Sequence, residues 1–321
     1  MNAVKALMGR ALDYAGLFPP AKLPMNKAVE EFAACLNDPE AWFLARFVLP
    51  ASRSGELVQA AGGLLAEAAQ TRVPWHLSGL IRSAPSIAES LDLMRSETTL
   101  LRGLLDSHAG ALELDALDLP VPDELSGTHD QELARSFFTE AYRIFAEAHF
   151  GVPVFWEVNL KKPFEHVALA AHNANAAAPA TVCLKFRTGG LTPEAIVSPE
   201  ILARAFRIVQ QHRIPFKLTA GLHLALRHFD SAVGTDVFGF LNVFCAAVLG
   251  WTHNLSETEL RLLLEEKNLA HIGIHADGIE WKSYRVSQSD IRQVRSVGLR
   301  SFGSCSFYEP VEEMKSMKLL S

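Results

Sequence analysis

Two neighbouring apolar segments of this chain each contain a lysine followed by threonine and glycine. They read CLKFRTGG at 183–190 and PFKLTAGLH at 215–223. A charged lysine inside an apolar strand loses its hydration, which is costly unless the amine is paired or neutral. A neutral amine can attack a carbonyl carbon and form a Schiff base. A neighbouring cation lowers the pKa of the amine and so favours this neutral form. Lys185 and Lys217 therefore predict a lysine-centred reaction.

An anionic ligand is the second prediction from the same segments. Lys185, Lys217 and Arg187 carry three positive charges, whereas Glu157 on the preceding predicted strand supplies one negative charge. Arg187 suits a carboxylate or a phosphate because its guanidinium can donate two parallel hydrogen bonds. Glu157 is expected to act as a general acid or base, or to keep one lysine charged. The alternative is an ion-pair network that only stabilises the end of a barrel.

Other polar residues and glycines are expected around these lysines. His223 follows the second lysine and is expected to move a proton or to contact the substrate. Glycines and free backbone amides after a strand let a ligand approach the main chain closely. The remaining predicted substrate-binding residues are Gly189, Gly190, Thr219, Gly303, Ser304, Arg46, Asp13 and Tyr14. For Asp13 and Tyr14 the alternative is an anchor for the amino-terminal segment, and for Arg46 it is an ion pair with Asp13.

The histidines permit a different chemistry. A divalent metal held by His76, His223, His228 and Glu157 would suit an isomerase or a hydrolase. The chain has no HxH or HExxH motif, but ligands on separate strands leave no motif. The lysine mechanism needs no cofactor, so a divalent metal is the alternative cofactor prediction.

The order of elements indicates how these residues are held. Short β-rich runs alternate with longer helical patterns, which predicts parallel strands joined by helices. Because no GxGxxG or GxxxxGK[ST] motif occurs, an open nucleotide-binding sheet is the second choice. Residues at alternate positions, such as Lys185 and Arg187, would face the interior at the carboxyl end of a closed barrel. We therefore predict an α/β fold, a TIM-type (β/α)8 barrel. Its strands are predicted at 43–49, 75–81, 111–117, 154–160, 181–187, 215–220, within 270–286, and at 300–307.

The predicted barrel does not use the whole chain. Residues 1–42 are expected to form an amino-terminal segment packed on one end of the barrel, and 43–321 to form a single barrel domain. The stretch from about 229 to 267 is too long for a simple strand-to-helix connection. It is expected to form a helical insertion after the sixth predicted strand and to cover part of the barrel mouth.

Composition limits the classes of partner. Of the 321 residues, 49% are hydrophobic and 21% are charged, and the net charge is −6, which excludes a disordered chain. With no basic arm, nucleic acid and anionic membrane surfaces are not expected as partners. The four cysteines form no CxxC pair, and no signal peptide or spanning segment is indicated. We expect a cytoplasmic protein with a small anionic substrate, and leave a homo-oligomer open.

The two lysine segments resemble the deoxyribose-phosphate aldolase group of class I aldolases. In that group one strand ends in Lys-x-Ser-Thr-Gly with the Schiff-base lysine, and the next ends in Lys-x-x-Gly-Gly with a lysine that tunes it. The resemblance implies that Lys185 is the nucleophile and Lys217 the tuning residue. It covers about residues 181–223 and extends to GSCS at 303–306, where the group has a Gly/Ser phosphate-binding turn.

The chain departs from the aldolase pattern at several places. Arg187 replaces a small hydroxylic residue, and the carboxylate on the fourth predicted strand is Glu157 rather than an aspartate. The insertion after His228 has no counterpart in that group. We therefore take the resemblance as a shared barrel-end geometry.

A second resemblance spans nearly the whole chain. Bacterial proteins usually described as hypothetical show similar segments, which read here DYAGLFPPA, RFVLPASR, KFRTGG, PFKLTAGLH, GFLNV and SFGSCSF. This resemblance supports one continuous domain and implies no activity.

The sequence thus favours an enzyme acting on a small anionic, carbonyl-bearing metabolite. The expected step is an aldol or retro-aldol reaction, or a related lyase step, through a Schiff-base lysine. One alternative is the metal-dependent isomerase or hydrolase. The other is a barrel that binds an anion without catalysis.

Overall fold

Parallel strands close into a barrel in the computed structural model of the chain, which describes residues 3–126, 128–177 and 182–320. In chain order its strands are β1 (Leu12–Tyr14), β2 (Leu44–Pro50), β3 (Trp75–Leu80), β4 (Leu112–Pro120), β5 (Val154–Val158), β6 (Val182–Arg187), β7 (Phe216–Thr219), β8 (His228–Asp230), β9 (Thr235–Val237), β10 (Ile272–Ile274), β11 (Gly278–Trp281), β12 (Tyr284–Ser287) and β13 (Leu299–Ser304). The barrel runs from β1 to β7 in sequence order and closes through β13, which pairs with both β7 and β1. The predicted (β/α)8 fold is confirmed. Residue 181, the first of the predicted strand 181–187, lies outside the described residues.

Helices surround the barrel. They are α1 (Ala3–Met8), α2 (Met25–Leu36), α3 (Ser54–Thr71), α4 (Ile87–Ser107), α5 (Asp123–Ser126), α6 (Gln131–Glu147), α7 (Glu165–Ala177), α8 (Pro199–Gln211), α9 (Phe240–His253), α10 (Glu257–Leu264), α11 (Gln288–Val297) and α12 (Tyr308–Ser316). Short 3-10 helices lie at Ala41–Phe43, Ala51–Arg53, Pro193–Ala195 and Leu269–His271.

Side-chain caps define where several helices begin. The oxygens of Ser86, Asp130, Ser198, Ser256 and Ser287 accept hydrogen bonds from amides in the first turns of α4, α6, α8, α10 and α11. Such caps satisfy amides that have no partner within the helix. Among the described residues, no helix combines the length and hydropathy that a membrane span requires.

The first barrel strand comes from the amino-terminal segment. β1 pairs in parallel with β13 on one side and β2 on the other. The strand expected within 270–286 is not in the barrel, because β10, β11 and β12 form a separate antiparallel sheet there. The prediction missed β1 because three residues are too few to show alternation. Strands β2 to β7 therefore each move up one place in the count, β13 remains the eighth, and Glu157 lies on the fifth strand.

The segment after β7 contains both a hairpin and helices. β8 and β9 form an antiparallel hairpin at the mouth, by which we mean the end of the barrel where the strands have their carboxyl ends. Helix α9 instead packs outside the barrel, where Phe240 stacks on Phe302 with 5.6 Å between ring centroids. The hairpin, rather than the helices of the predicted insertion, thus covers part of the mouth.

Candidate active site at the barrel mouth

A cavity of about 890 Å³ opens at the mouth. Its floor is formed by charged side chains from β1, β4, β5, β6 and β7, and much of its wall is apolar. The ionisable residues that line it are Asp13, Asp118, Glu157, Lys185, Arg187, Lys217, His223, His228, Asp230 and Glu309. The apolar wall includes Phe18, Leu191, Leu224, Phe229 and Val237. Mixed lining of this kind is typical of small-molecule sites.

The two lysines and Glu157 form one row across the floor. Glu157 is in register with Lys185 on the next strand, and Lys185 is in register with Lys217. Because side chains alternate along a strand, residues in register on neighbouring strands face the same side. Beneath this row the barrel interior is filled by Ala116 and Phe155, with Cys183.

Lys217 is fully engaged by buried partners. Its Nζ donates to Asp13 Oδ2 at 2.9 Å and to Asp118 Oδ2 at 2.8 Å. A third bond of 3.3 Å goes to Ser78 Oγ. The side chain of Lys217 is 2% exposed, and each carboxylate is 1% exposed. The ammonium group therefore has an acceptor for each of its three protons, as a buried charge requires.

Asp13 is held in its ionised form. Arg46 Nη1 donates to Asp13 Oδ1 at 2.9 Å, and the Ser301 hydroxyl donates to Oδ2 at 2.8 Å. Burial on its own would raise the pKa of Asp13, but the charges of Lys217 and Arg46 outweigh it and lower that pKa to about 2. The predicted alternative for Arg46, an ion pair with Asp13, is confirmed, and Arg46 lies beneath the cavity rather than in its lining.

Asp118 is a site residue that the sequence did not reveal. Its Oδ2 accepts from Lys217 and from the Ser78 hydroxyl, both at 2.8 Å. Its Oδ1 is buried and has no hydrogen-bond partner among the described residues, although the residue lines the cavity. An unpaired buried carboxylate oxygen is costly, so Oδ1 is an available acceptor for a ligand or a proton.

A bulge in β4 explains why Asp118 was missed. His76 pairs with Glu113, but Ser78 pairs with Ala116, so one extra residue lies between the two pairs. Strict alternation from Glu113 would point Asp118 out of the barrel, whereas the extra residue turns it inward. β4 also extends to Pro120, beyond the predicted end at residue 117. A carboxylate flanked by leucines in LDL was the available signal.

Lys185 and Arg187 share one carboxylate. Glu157 Oε2 lies 3.1 Å from Lys185 Nζ, and Oε1 accepts from Arg187 Nε at 3.0 Å. Burial raises the pKa of Glu157, but the charges of Lys185 and Arg187 outweigh this and lower it to about 2. Glu157 therefore stays charged in the resting site and can accept a proton only when Lys185 gives one up.

The pKa of Lys185 does not move in the expected direction. Burial lowers it, but the nearby carboxylates of Asp118 and Glu157 outweigh burial and raise it above its ordinary value. The prediction that Lys217 lowers this pKa is wrong, because Asp13 and Asp118 lie against the Lys217 ammonium. The resting Lys185 amine is charged and must lose a proton before it can react.

The structure brings together only part of the other predicted site residues. Thr219, Gly190 and Gly303 line the cavity, and His223 lies at its rim, where Nδ1 is 2.8 Å from Glu309 Oε2. Gly189 instead packs on the next loop, because a Cβ there would lie 2.9 Å from the Gly221 Cα. It is not in the lining.

Two residues predicted to bind substrate, Tyr14 and Ser304, do not line the cavity. Tyr14 follows the inward-facing Asp13 and so points outward, where its ring packs 5.9 Å from the centroids of both Phe32 and Phe47. The Ser304 hydroxyl closes its own turn by donating to the Ser306 carbonyl and accepting from the Ser306 amide. It is buried and outside the cavity lining.

The predicted metal ligands do not come together. His76 lies toward the amino end of β3, where Nδ1 is 3.0 Å from Asp115 Oδ1 and 3.7 Å from Glu113 Oε2. Those three residues are the only group with metal-ligand spacing in the part of the chain that the structure describes, and Arg10 binds Asp115 at 2.7 Å. The set of His76, His223, His228 and Glu157 is therefore not assembled, because His76 lies at the opposite end of the barrel.

Comparisons with known proteins assign no family. No family model and no curated protein matches the chain. Among solved structures, malate synthase from Haloferax volcanii, native at 3 mM glyoxylate, is 11% identical over 91% of this chain and 74% of that one, with a TM-score of 0.40. Its pyruvate/acetyl-CoA ternary complex is 10% identical over 97% of this chain and 74% of that one, with a TM-score of 0.39. No residue role follows from similarity at this level.

Proposed function

We propose that the protein is an enzyme of the class I aldolase type, in which Lys185 forms a Schiff base with a small carbonyl-bearing metabolite. The observation that carries the proposal is the row of Glu157, Lys185 and Lys217 at the cavity floor, with the unpaired Asp118 Oδ1 beside it. An amine, a proton acceptor and a second carboxylate thus line one cavity.

Lys185 is the better nucleophile of the two lysines. All three protons of Lys217 are donated to buried acceptors, and losing that charge would leave Asp13 and Asp118 without their common cation. Lys185 has one carboxylate partner and lines the cavity. Lys217 thus acts as a positioning residue that fixes Asp118.

The proposed proton transfers use the two carboxylates in turn. Lys185 first loses a proton to solvent by way of Glu157, whose Oε2 lies 3.1 Å away. The neutral amine then bonds to the carbonyl carbon. The carbonyl oxygen gains protons and leaves as water, while the nitrogen keeps one proton in the resulting iminium ion. Asp118 Oδ1, a free acceptor at the cavity floor, carries protons to and from that oxygen.

The strand count strengthens the aldolase resemblance. With β1 as the first barrel strand, the fourth strand is β4 and its cavity-lining carboxylate is Asp118. Glu157 was counted on the fourth strand only because β1 was missed. The fourth strand of the barrel carries an aspartate, as it does in the aldolase group. Arg187 remains a departure, and so does the hairpin of β8 and β9.

Borohydride trapping tests the proposal. Wild-type protein is incubated with acetaldehyde, pyruvate or glyceraldehyde 3-phosphate, reduced with borohydride and digested for peptide mass analysis. We expect a covalent adduct at Lys185 with at least one probe, none in Lys185→Met, and an unchanged adduct in Lys27→Met, a surface control. Labelling of other lysines only, or no adduct with any probe, would overturn the proposal.

Two further measurements separate the alternatives. If the adduct still forms after divalent metal ions have been removed with a chelator, the metal-dependent isomerase or hydrolase is excluded. A barrel that binds anions without catalysis would show weaker binding in Lys185→Met and no adduct in wild type.

A further inference from the structure

We infer that the substrate is a 2-oxo acid, whose carboxylate is bound by Arg187 while Lys185 attacks the adjacent carbonyl carbon. This inference rests on the proposed Schiff-base function and specifies which anionic group the substrate carries. Both a carboxylate and a phosphate could pair with the Arg187 guanidinium, so the geometry of the whole cavity has to decide between them.

Arg187 is fixed beside the reactive amine. It lies two residues beyond Lys185 on β6, and therefore on the same face of the strand. Its Nε and the Lys185 Nζ bind the two oxygens of the same Glu157 carboxylate. One carboxylate thus sets the spacing between guanidinium and amine.

The rest of the guanidinium is available to a ligand. Within the described residues, the terminal nitrogens of Arg187 have no hydrogen-bond partner, and its side chain is 56% exposed while lining the cavity. Terminal guanidinium nitrogens match the two oxygens of a carboxylate. In a 2-oxo acid the carboxylate is bonded directly to the carbonyl carbon. The acid therefore presents its carboxylate and its carbonyl carbon side by side, to two side chains that share the Glu157 carboxylate.

The far side of the cavity is poorly suited to phosphate. After β13, the Ser306 amide is bonded to Ser304 Oγ and the Glu309 amide to Ser306 Oγ, so these two donors of the turn are occupied. Glu309 also lines the cavity in the first turn of α12 and would repel an anion there. The Gly/Ser turn that binds phosphate in the aldolase group thus lacks those donors here.

The apolar part of the wall suits a carbon chain, and the acidic side chains of Asp230 and Glu309, which also line the cavity, disfavour a second negative charge. Phe18, Leu191 and Phe229 line it, and Phe229 on the hairpin is 64% exposed. A substrate with one carboxylate at Arg187 and an apolar remainder would match this division between charged floor and apolar wall.

The reaction balances with an aldehyde as the second reactant. Lys185 nitrogen bonds to the carbonyl carbon of the 2-oxo acid, and the carbonyl oxygen leaves as water. Loss of a proton from the neighbouring carbon gives an enamine, and that carbon bonds to the carbonyl carbon of an aldehyde, whose oxygen takes up a proton. Hydrolysis of the iminium ion releases the product and restores the amine, and cleavage is the reverse sequence.

The test compares probes within each variant. Rates of borohydride trapping at Lys185 are measured with pyruvate, acetaldehyde and glyceraldehyde 3-phosphate in wild type, Arg187→Gln and Arg187→Lys, with Arg135→Gln on the surface of α6 as the matched control. We expect Arg187→Gln to lower the pyruvate rate relative to the acetaldehyde rate by about 10- to 100-fold, as for a lost hydrogen bond to a charged group. Arg187→Lys should recover part of that ratio, and Arg135→Gln should match wild type.

The outcomes distinguish the 2-oxo acid inference from the proposed Schiff-base function on which it rests. If acetaldehyde or glyceraldehyde 3-phosphate labels Lys185 but pyruvate does not, or if Arg187→Gln slows all three probes equally, the 2-oxo acid assignment fails and the Schiff-base function stands. If no probe labels Lys185, the Schiff-base function itself fails.

Discussion

Lys217 and Asp118 form a buried ion pair, with 2.8 Å between Nζ and Oδ2, although their strands β7 and β4 are not neighbours in the barrel. The pair crosses the interior, and Asp13 on β1 reaches the same ammonium. One lysine on β7 thus links strands β1 and β4. This arrangement holds Asp118 in place while leaving its second oxygen unpaired, which is the feature that the proposed chemistry uses.

Replacing Lys217 with methionine should destabilise the protein strongly. Asp13 and Asp118 would lose their common cation, and breaking a buried pair in this way costs about 3–5 kcal/mol. Urea denaturation monitored by circular dichroism measures the change. The control Lys27→Met, whose lysine is 59% exposed, should change stability by less than about 0.5 kcal/mol. A loss below about 1 kcal/mol in Lys217→Met would contradict the buried-pair description.

Asp118→Asn should impair the reaction while keeping the side-chain shape. Loss of a positioned proton acceptor is expected to slow trapping at Lys185 by about 10²- to 10⁴-fold. The negative charge of Asp118 also helps to raise the pKa of Lys185, so the acid limb of the rate profile should move to lower pH. Asp115→Asn, on the same strand but at the amino end, is the matched control. Equal effects of both changes would argue against a role for Asp118 Oδ1.

Trapping in the wild-type protein should speed up as the solution becomes more alkaline. The raised pKa of Lys185 lies above the ordinary lysine value of 10.5, so the neutral fraction increases about tenfold per pH unit through the neutral range. Rates measured with acetaldehyde between pH 7 and 9 test this dependence. A rate that is flat across that range would show that the amine is already neutral at pH 7.

Acid should weaken the fold through two carboxylates. The pKa values of Asp13 and Glu157 are lowered to about 2, so their ion pairs contribute stability above the ordinary carboxyl range and lose it as pH falls toward 2. The free energy of unfolding, measured by urea titration at several pH values, should therefore drop between about pH 4.5 and pH 2. Glu157→Gln should make this slope shallower, and an unchanged slope would contradict the lowered pKa of Glu157.

Adjacent residues on β1 should differ sharply in their effect on trapping. Tyr14→Phe is expected to leave the rate within about twofold, because the ring packs outside the barrel against Phe32 and Phe47. Asp13→Asn should slow trapping, because Asp13 helps to hold Lys217 and through it Asp118. Circular dichroism of both variants controls for folding. A larger loss in Tyr14→Phe than in Asp13→Asn would contradict the orientation of β1.

The fold was predictable where local patterns were strong. Strands β6 and β7 show their polar residues at alternate positions, and that spacing correctly predicted that Lys185 and Lys217 face the same cavity. Three-residue β1 has no comparable pattern, and its membership in the barrel depends on pairing with β13 at the other end of the chain.

The site was predictable only in part, for a related reason. The spacing of polar residues along neighbouring strands predicts which of them share a face. Asp118 and Lys217 instead meet across the barrel interior and are 99 positions apart in the sequence. The inward orientation of Asp118 also depends on a single extra residue in β4, which alternation cannot anticipate. The raised pKa of Lys185 then follows from this unseen carboxylate.

The bond between Ser301 and Asp13 spans 288 positions and joins the first barrel strand to the last. During synthesis, β1 leaves the ribosome long before β13 exists. The barrel around Lys217, which binds Asp13, therefore stays open until the end of translation. Reactivity at Lys185 should therefore arise as a late, single event of maturation, and a chain stopped before β13 should show no borohydride adduct there.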